Sequence, residues 1–403
     1  MNKKFHFFLL SVMLLITCKL FSQASWEPFG QNRVQYRTFN WKYYDSTHFR
    51  TFYYDKGNAH ALYALNVAEQ ELSHIVYTMG GRLNKKLNII IYNSFSEYKQ
   101  TNIGRKNEAL NLANGGKIDV VGDNIPVYFN GDHNQLKKQI TKGIASVIKD
   151  NMLFGDNIKD AVKNAVKMNL PDWYTLGYVA YIADDWSAEK SAELKSLMLT
   201  TKNNKITDIG INYPLITGHS FWNYISKKYG ENYISNLLYL TRYRKSVNNA
   251  LEMVLKKPYK EIINDWTNFY KNTDSTTVPA IENAKIVTSI KTKSNATYGQ
   301  IAISPQGRDI AYVEKLDGEF KVFVRDIKYN KTTEIIAGGI KASIELADPD
   351  YPLLSWSPSG RKMAILYQKK NQINLRIFTA GKSKMENRVI SSNKIDRITG
   401  MCF

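Results

Sequence analysis

The 403-residue chain is poor in the residues that staple or metallate a fold. It has two cysteines, Cys18 and Cys402. Removal of an N-terminal leader would leave only Cys402, which excludes an internal disulfide and a cysteine-based metal site. Its six histidines are His6, His48, His60, His74, His133 and His219, and no two stand four residues apart. H-E-x-x-H occurs nowhere, so a zinc helix of that kind is excluded. No glycine-rich phosphate loop follows a strand, which leaves nucleotide binding unsupported. Prolines number 10 against 26 tyrosines. Acid is scarce beside base: 36 Asp/Glu against 55 Lys/Arg, a formal charge of +19. The excess is spread over both halves, whereas a nucleic-acid binder concentrates it on one element. Nucleic acid is therefore not an expected partner; attraction to anionic envelope polymers or lipid headgroups stays open.

What is present suffices for more than one core. Hydrophobic residues make up 43% and aromatics 12%, and the length fits two domains. Residues 1–23 read as a secretory signal. Lys3 and Lys4 form a basic start, Phe5 to Thr17 is an apolar run, and Ser22-Gln23-Ala24-Ser25 supplies small residues for cleavage. Leu15-Ile16-Thr17-Cys18 loosely resembles a lipoprotein box, so lipidation at Cys18 and an uncleaved anchor are the alternatives. Export to the periplasm or outer membrane is expected. No later run is long and apolar enough to span a bilayer.

Between residues 26 and 271 the pattern is a small sheet followed by helices, an α+β order. His48–Tyr54 and Leu87–Tyr92 read as strands, with shorter ones at Ile118–Val121 and Val127–Asn130. Ala59–Met79 carries apolar residues at helical spacing and stops at Gly80-Gly81. Ser94 to Gln100 reads as a short capped helix. Gln135–Phe154 places Leu136, Ile140, Ile144, Val147 and Ile148 on one face. Asp172–Ala183, Ser220–Tyr229, Ala250–Leu255 and Tyr259–Tyr270 continue the helical pattern.

Pro171-Asp172-Trp173-Tyr174-Thr175-Leu176-Gly177-Tyr178-Val179-Ala180-Tyr181 resembles the P-x-W-x-x-E-G-x-A-x-Y segment of peptidase MA-like (gluzincin) domains. Tyr213-Pro214-Leu215 through Gly218-His219-Ser220-Phe221-Trp222 is similar to the helix that follows in that family, and Tyr259-Lys260-Glu261 to Asp265-Trp266 to its end. The resemblance implies a metallopeptidase-like fold whose upstream helix should carry H-E-x-x-H. Here that helix reads Lys142-Gly143-Ile144-Ala145-Ser146. Lys142 and Ser146 stand at the two histidine positions, Gly143 at the general base, and Leu176 at the third ligand. An ammonium repels a cation and leucine has no lone pair, so neither catalysis nor a bound metal or other cofactor is expected. A Ser146–Lys142 pair on one helix face is a weak nucleophile signal. Lys142, Ser146, Trp173 and Leu176 outline the expected ligand cleft, where an extended peptide could lie by strand addition. His219 and His74 read as core or rim residues.

Residues 272–285 form a polar linker, after which helical periodicity vanishes. Ser304-Pro305-Gln306-Gly307-Arg308 and Ser357-Pro358-Ser359-Gly360-Arg361 lie 53 residues apart, each between two strand patterns. Proline fixes the first corner of such a turn and glycine supplies the positive φ. The units resemble TolB-type propeller repeats. That implies two blades and the start of a third over residues 286–403, an incomplete propeller. A two-unit sandwich is the alternative.

The expectation is a non-catalytic envelope protein that binds protein or polymer partners and assists secretion or surface assembly. A glycan- or peptidoglycan-binding protein and a divergent peptidase are the alternatives.

Overall fold

The computed structural model describes residues 35–101, 120, 122–155, 168–201, 205–272, 287–293, 296–316, 318–340, 348–369, 372–380, 386–390, 395 and 397–403. The expected leader with Cys18, the expected strand at 118–121 apart from Val120, and linker residues 273–285 lie outside them. The fold is mixed α+β. Among the described residues helices accompany three small sheets.

The first sheet runs β1 (Lys42–Asp45), β2 (Phe49–Tyr53), β3 (Leu87–Tyr92) and β4 (Asn124–Tyr128) in sequence order. β1 and β2 form an antiparallel hairpin, while β2, β3 and β4 pair in parallel. Parallel strands need cover on both faces, and β3 has it. Leu87, Ile89 and Ile91 face the main core with Phe49, Ile125 and Val127. Ile90 and Tyr92 join an aromatic layer of Tyr54, Phe95, Tyr98 and Phe39 on the other side. β4 begins and ends earlier than its apolar pattern suggests. The chain turns at Gly131 (φ 94°), and Asp132 caps the next helix by accepting from the Asn134 N–H at 2.7 Å.

That next helix is the second long one. Helix α1 (Asn58–Met79) ends at Gly80, whose left-handed backbone donates its N–H to the Val76 carbonyl at 2.9 Å. After the one-turn α2 (Phe95–Tyr98), capped by Ser94, comes α3 (His133–Phe154). It buries Leu136, Ile140, Ile144, Val147 and Ile148, the stripe its periodicity predicts. Then follow α4 (Asp172–Ala183), α5 (Ala188–Thr200), α6 (Ile206–Asn212), α7 (Pro214–Tyr229), α8 (Asn232–Arg244), α9 (Val247–Leu255) and α10 (Tyr259–Asn272).

Helices α4 and α7 cross at a glycine pair. A Cβ on Gly218 would sit 1.7 Å from the Trp173 carbonyl oxygen, and one on Gly177 2.2 Å from the Gly218 backbone. Only residues without side chains allow this approach. It brings Trp222 Nε1 within 2.9 Å of the Tyr174 carbonyl, to which it donates. Trp173, Phe221 and Trp266 pack edge-to-face and tilted beside it, 5.1–5.4 Å between ring centroids.

The C-terminal half holds two antiparallel meanders, β5 (Thr297–Ile303) to β8 (Lys331–Gly339) through β6 (Asp309–Leu316) and β7 (Glu319–Asp326), and β9 (Leu353–Trp356) to β12 (Glu386–Ile390) through β10 (Lys362–Lys369) and β11 (Gln372–Thr379). Ala311, Val313, Val322, Val324 and Ile336 of the first pack against Met363, Ile365 and Tyr367 of the second. The repeated turns have one geometry. Gly307 N–H donates to Ser304 O and Gly360 N–H to Ser357 O, both at 2.8 Å, with φ 66° and 64°. Ser304 Oγ and Ser357 Oγ each accept from the first residue of the following strand at 3.0 Å. The second sheet is apolar on its other face too, where Leu366 and Ile373 lie with Tyr351, Leu353, Leu375 and Ile390.

Candidate functional site

The ends of α4, α5 and α7 meet the middle of α3 around a cavity of about 30 Å³, room for a water or two. Lys142 of α3, Ala180 of α4, Asp184 just after α4, Lys190 of α5, and Leu215, Ile216 and His219 of α7 line it. Each arrives for a local reason. Lys142 is on the face of α3 opposite its apolar stripe, one turn beyond Lys138, and is buried because this part of the helix is covered on all sides. Asp184 ends α4 in extended backbone. His219 follows Gly218, so the glycine crossing sets its depth.

The charges are uneven. Asp184 holds Lys190 at 2.9 Å and Lys138 at 3.0 Å. Burial acts to raise the Asp184 pKa, but the hydrogen bonds from Lys190 and Lys138 outweigh it and hold the carboxyl below its ordinary value. Lys190 also donates to the Asp185 carbonyl. Lys142 is 6% exposed. Burial, opposed by Asp184 and reinforced by Lys138 and Lys190, pushes its ammonium down to about 8.

His219 is the other buried titratable group, 3% exposed. Burial first, then Lys190 and Lys142, push it down to about 3, against the opposing pull of Asp184. The Asp184 backbone acts in the same sense as its carboxylate, and the His219 ring lies edge-on to Trp186 at 5.1 Å. Its Nε2 is buried without a hydrogen-bond partner, which is unusual for a buried polar atom.

Helix α7 adds a partial charge. Tyr213 is at its N-cap, and no side chain caps it. Pro214 has no N–H to offer. The N–H groups of Leu215 and Ile216, at the second and third positions, belong to the donors that helix geometry leaves unsatisfied.

Of the residues expected to outline a cleft, Lys142 lines this cavity. Ser146 is half-buried one turn further along α3, and Leu176 is buried one turn before Ala180; neither is among the lining residues. Trp173 belongs to the aromatic cluster with Phe221 and Trp266 and lies against Gly210. Gly143 packs on β4: a Cβ there would fall 2.2 Å from Ile125 Cγ2. Asp184 and Lys190 were not singled out from sequence, and Tyr213-Pro214-Leu215 was read only as part of a helix, not as a wall of the site. The available signals were the Asp184-Asp185 pair closing a helix and a Tyr-Pro helix start without a capping residue. Among the described residues no three His, Cys, Asp or Glu side chains gather as a metal site would need.

The edge of β4 bears on peptide binding. Asn88 N–H donates to Asp123 O, and Phe129 N–H to Tyr92 O. The odd-numbered residues of this segment thus face β3, and 124, 126 and 128 face outward. Residue 126 is proline, without a donor. Tyr128 N–H and C=O are both taken by the Gln139 amide, at 3.1 and 2.9 Å. The outer edge of β4 is closed to an added strand along that stretch.

Compared with known protein families and with curated proteins, the chain matches none.

Proposed function

We propose that the chain is an exported binding protein. In this reading residues 26–271 are a peptidase MA-like module without hydrolytic machinery, and residues 286–403 are opening blades of a TolB-type propeller. The observation that carries the non-catalytic reading is Gly143. The position of the general base touches Ile125 so closely that a glutamate side chain has no room. The flanking positions add no donor set, with an ammonium at Lys142 and an aliphatic side chain at Leu176. The propeller reading is supported by two meanders with matching turns and by a second sheet that is apolar on both faces, as a layer between neighbours must be. The chain then acts by holding protein or polymer partners, in an accessory role in secretion or surface assembly. Among the described residues no helix is long and apolar enough to cross a membrane.

A second reading, binding of an anionic glycan or peptidoglycan, is favoured by one surface. Tyr239 and Tyr243 lie a turn apart on α8, 65% and 71% exposed, beside Arg242, Arg244 and Lys245. Aromatic rings next to cations suit sugars that carry acid groups.

Elemental analysis of purified protein, with a peptide-hydrolysis assay run with and without chelator, tests the first reading. Sub-stoichiometric zinc and no hydrolysis are expected; one zinc per chain, or cleavage that a chelator abolishes, would sink it. Parallel pull-downs on peptidoglycan and on envelope protein extract separate the polymer reading from the protein one.

A further inference from the structure

We propose that the cavity between α3, α4, α5 and α7 is an anion subsite that takes a carboxylate group. The inference rests on reading this cleft as one that holds a partner rather than cleaves one. Three independent features converge there. Lys142 and Lys190 line the cavity, and Lys138 reinforces them from one turn back; among the described residues that line it the one acid is Asp184, already shared by Lys138 and Lys190. The start of α7 has no side-chain cap, and Leu215 and Ile216 of its first turn line the cavity; an uncapped helix start attracts anions. His219 is almost wholly buried, and its Nε2 has no partner.

Size and shape select the ligand. The cavity, about 30 Å³, suits a small anionic group in place of one or two waters. Ala180, Leu215 and Ile216 give it apolar walls, which suit the carbon side of a carboxylate. The Asp184–Lys190 pair, with side chains 27% and 20% exposed, is the rim through which an acidic side chain or a chain terminus would enter.

The imidazole has a specific part. With the ring neutral and its proton on Nδ1, the unpartnered Nε2 presents a lone pair, which repels a carboxylate. On binding, His219 takes one proton from solvent and Nε2–H donates to the incoming oxygen. Association therefore carries proton uptake and tightens as pH falls. The groups acting on the ring are Lys142 on α3, Asp184 after α4 and Lys190 on α5, with Tyr181 of α4 edge-on to it and Lys138 held on Asp184.

The test uses the full chain with 13C-labelled histidine, titrated with sodium acetate at constant ionic strength and slightly acid pH. His219→Gln assigns the resonance. A saturable shift of the His219 signal is expected, with affinity at least about tenfold weaker in Lys142→Met, since charge-assisted hydrogen bonds carry that much. Lys190→Gln, at the partly exposed rim, should weaken binding as well and guards against a Lys142 variant that fails to fold. An unmoved His219 signal up to about 100 mM acetate, or undiminished affinity in both lysine variants, overturns the proposal. Tighter binding of inorganic phosphate than of acetate overturns the choice of carboxylate. A silent titration from protein that neither holds zinc nor cleaves peptides defeats the subsite alone and leaves the binding reading standing.

Discussion

Two buried polar clusters in the N-terminal half carry opposite signs and opposite degrees of satisfaction. Under the first sheet, Glu97 is 1% exposed. It accepts from Arg37 and from Tyr54 Oη, the latter at 2.6 Å, while Arg37 also reaches Asp55. Tyr36 ties the same segment down through Ser96 and Gln100. The cluster is closed, and its chemistry is used up in holding residues 36–55 against α2. Around Lys142 and His219, by contrast, cations exceed acids and an imidazole nitrogen has no partner. A buried charge with its partners in place is part of the fold, whereas a buried polar atom without one is a place for something else.

The contrast is broken most severely by prying the open cluster apart. Gly218→Ala drives a methyl into the Trp173 carbonyl at a helix crossing where backbone meets backbone. It should cost at least about 3 kcal/mol, read as a drop in the urea midpoint; a change below about 1 kcal/mol would mean that α4 and α7 are not so closely apposed. The closed cluster should break at nearly the same cost. Glu97→Ala removes the acceptor for Tyr54 and one of two for Arg37. About 3 kcal/mol is expected, the low end for a broken buried pair because Arg37 is a third exposed. The two losses differ in kind, since the second should leave acetate binding at His219 unchanged.

Replacing the open cluster's cation should have the reverse effect. Lys142→Met removes a buried charge and keeps the side chain's length. Stability near neutral pH should rise by about 1–3 kcal/mol. The pH dependence follows from linkage. Lys142 titrates near 8 in the folded chain against 10.5 unfolded, so between those values the unfolded state binds more protons. Stability of the wild type then rises with pH through that window, and the cost is fully present below about 8. Urea midpoints of wild type and Lys142→Met should converge as pH is raised from 8 to 10.5. A constant gap would mean that Lys142 is not desolvated.

The halves of the molecule differed in how far they could be read from sequence. Periodicity marks α1 and α3 because an amphipathic helix repeats its core contacts every turn; Gly80 and Asp132 close or open them by local chemistry. The Ser-Pro-x-Gly turns are equally local, so both strand pairs could be set down from five residues each. Strand β1 escaped notice because Lys42–Asp45 is an exposed edge without a buried alternation. The cavity escaped for another reason. Its residues come from four segments between 142 and 219, and no spacing rule links Lys142 to Lys190. His219 looked like a core residue, and by burial it is one; only the absence of a partner at Nε2, a property of the assembled fold, distinguishes it.

The smallest expected effect concerns the C-terminal half, where the two turns ask whether repetition in sequence is repetition in energy. Gly307 and Gly360 share φ near +65° and the same hydrogen bond to a serine carbonyl. Their surroundings differ. Nothing lies within 4 Å of a Cβ on Gly307, while one on Gly360 would meet Gln306 Oε1 at 1.8 Å. Alanine at either site incurs the left-handed backbone penalty, about 1 kcal/mol. The contact at Gly360 is with the end of a flexible side chain, whose one bond to the second turn, to the Pro358 carbonyl, is long at 3.4 Å. Gln306 should swing away at little cost, so Gly307→Ala and Gly360→Ala should lower stability equally, within a few tenths of a kcal/mol. If Gly360→Ala costs over about 1 kcal/mol more, Gln306 is locking the two sheets together. In a Gln306→Ala background the two glycine substitutions would then cost the same, because the lock is already gone and only the backbone penalty remains.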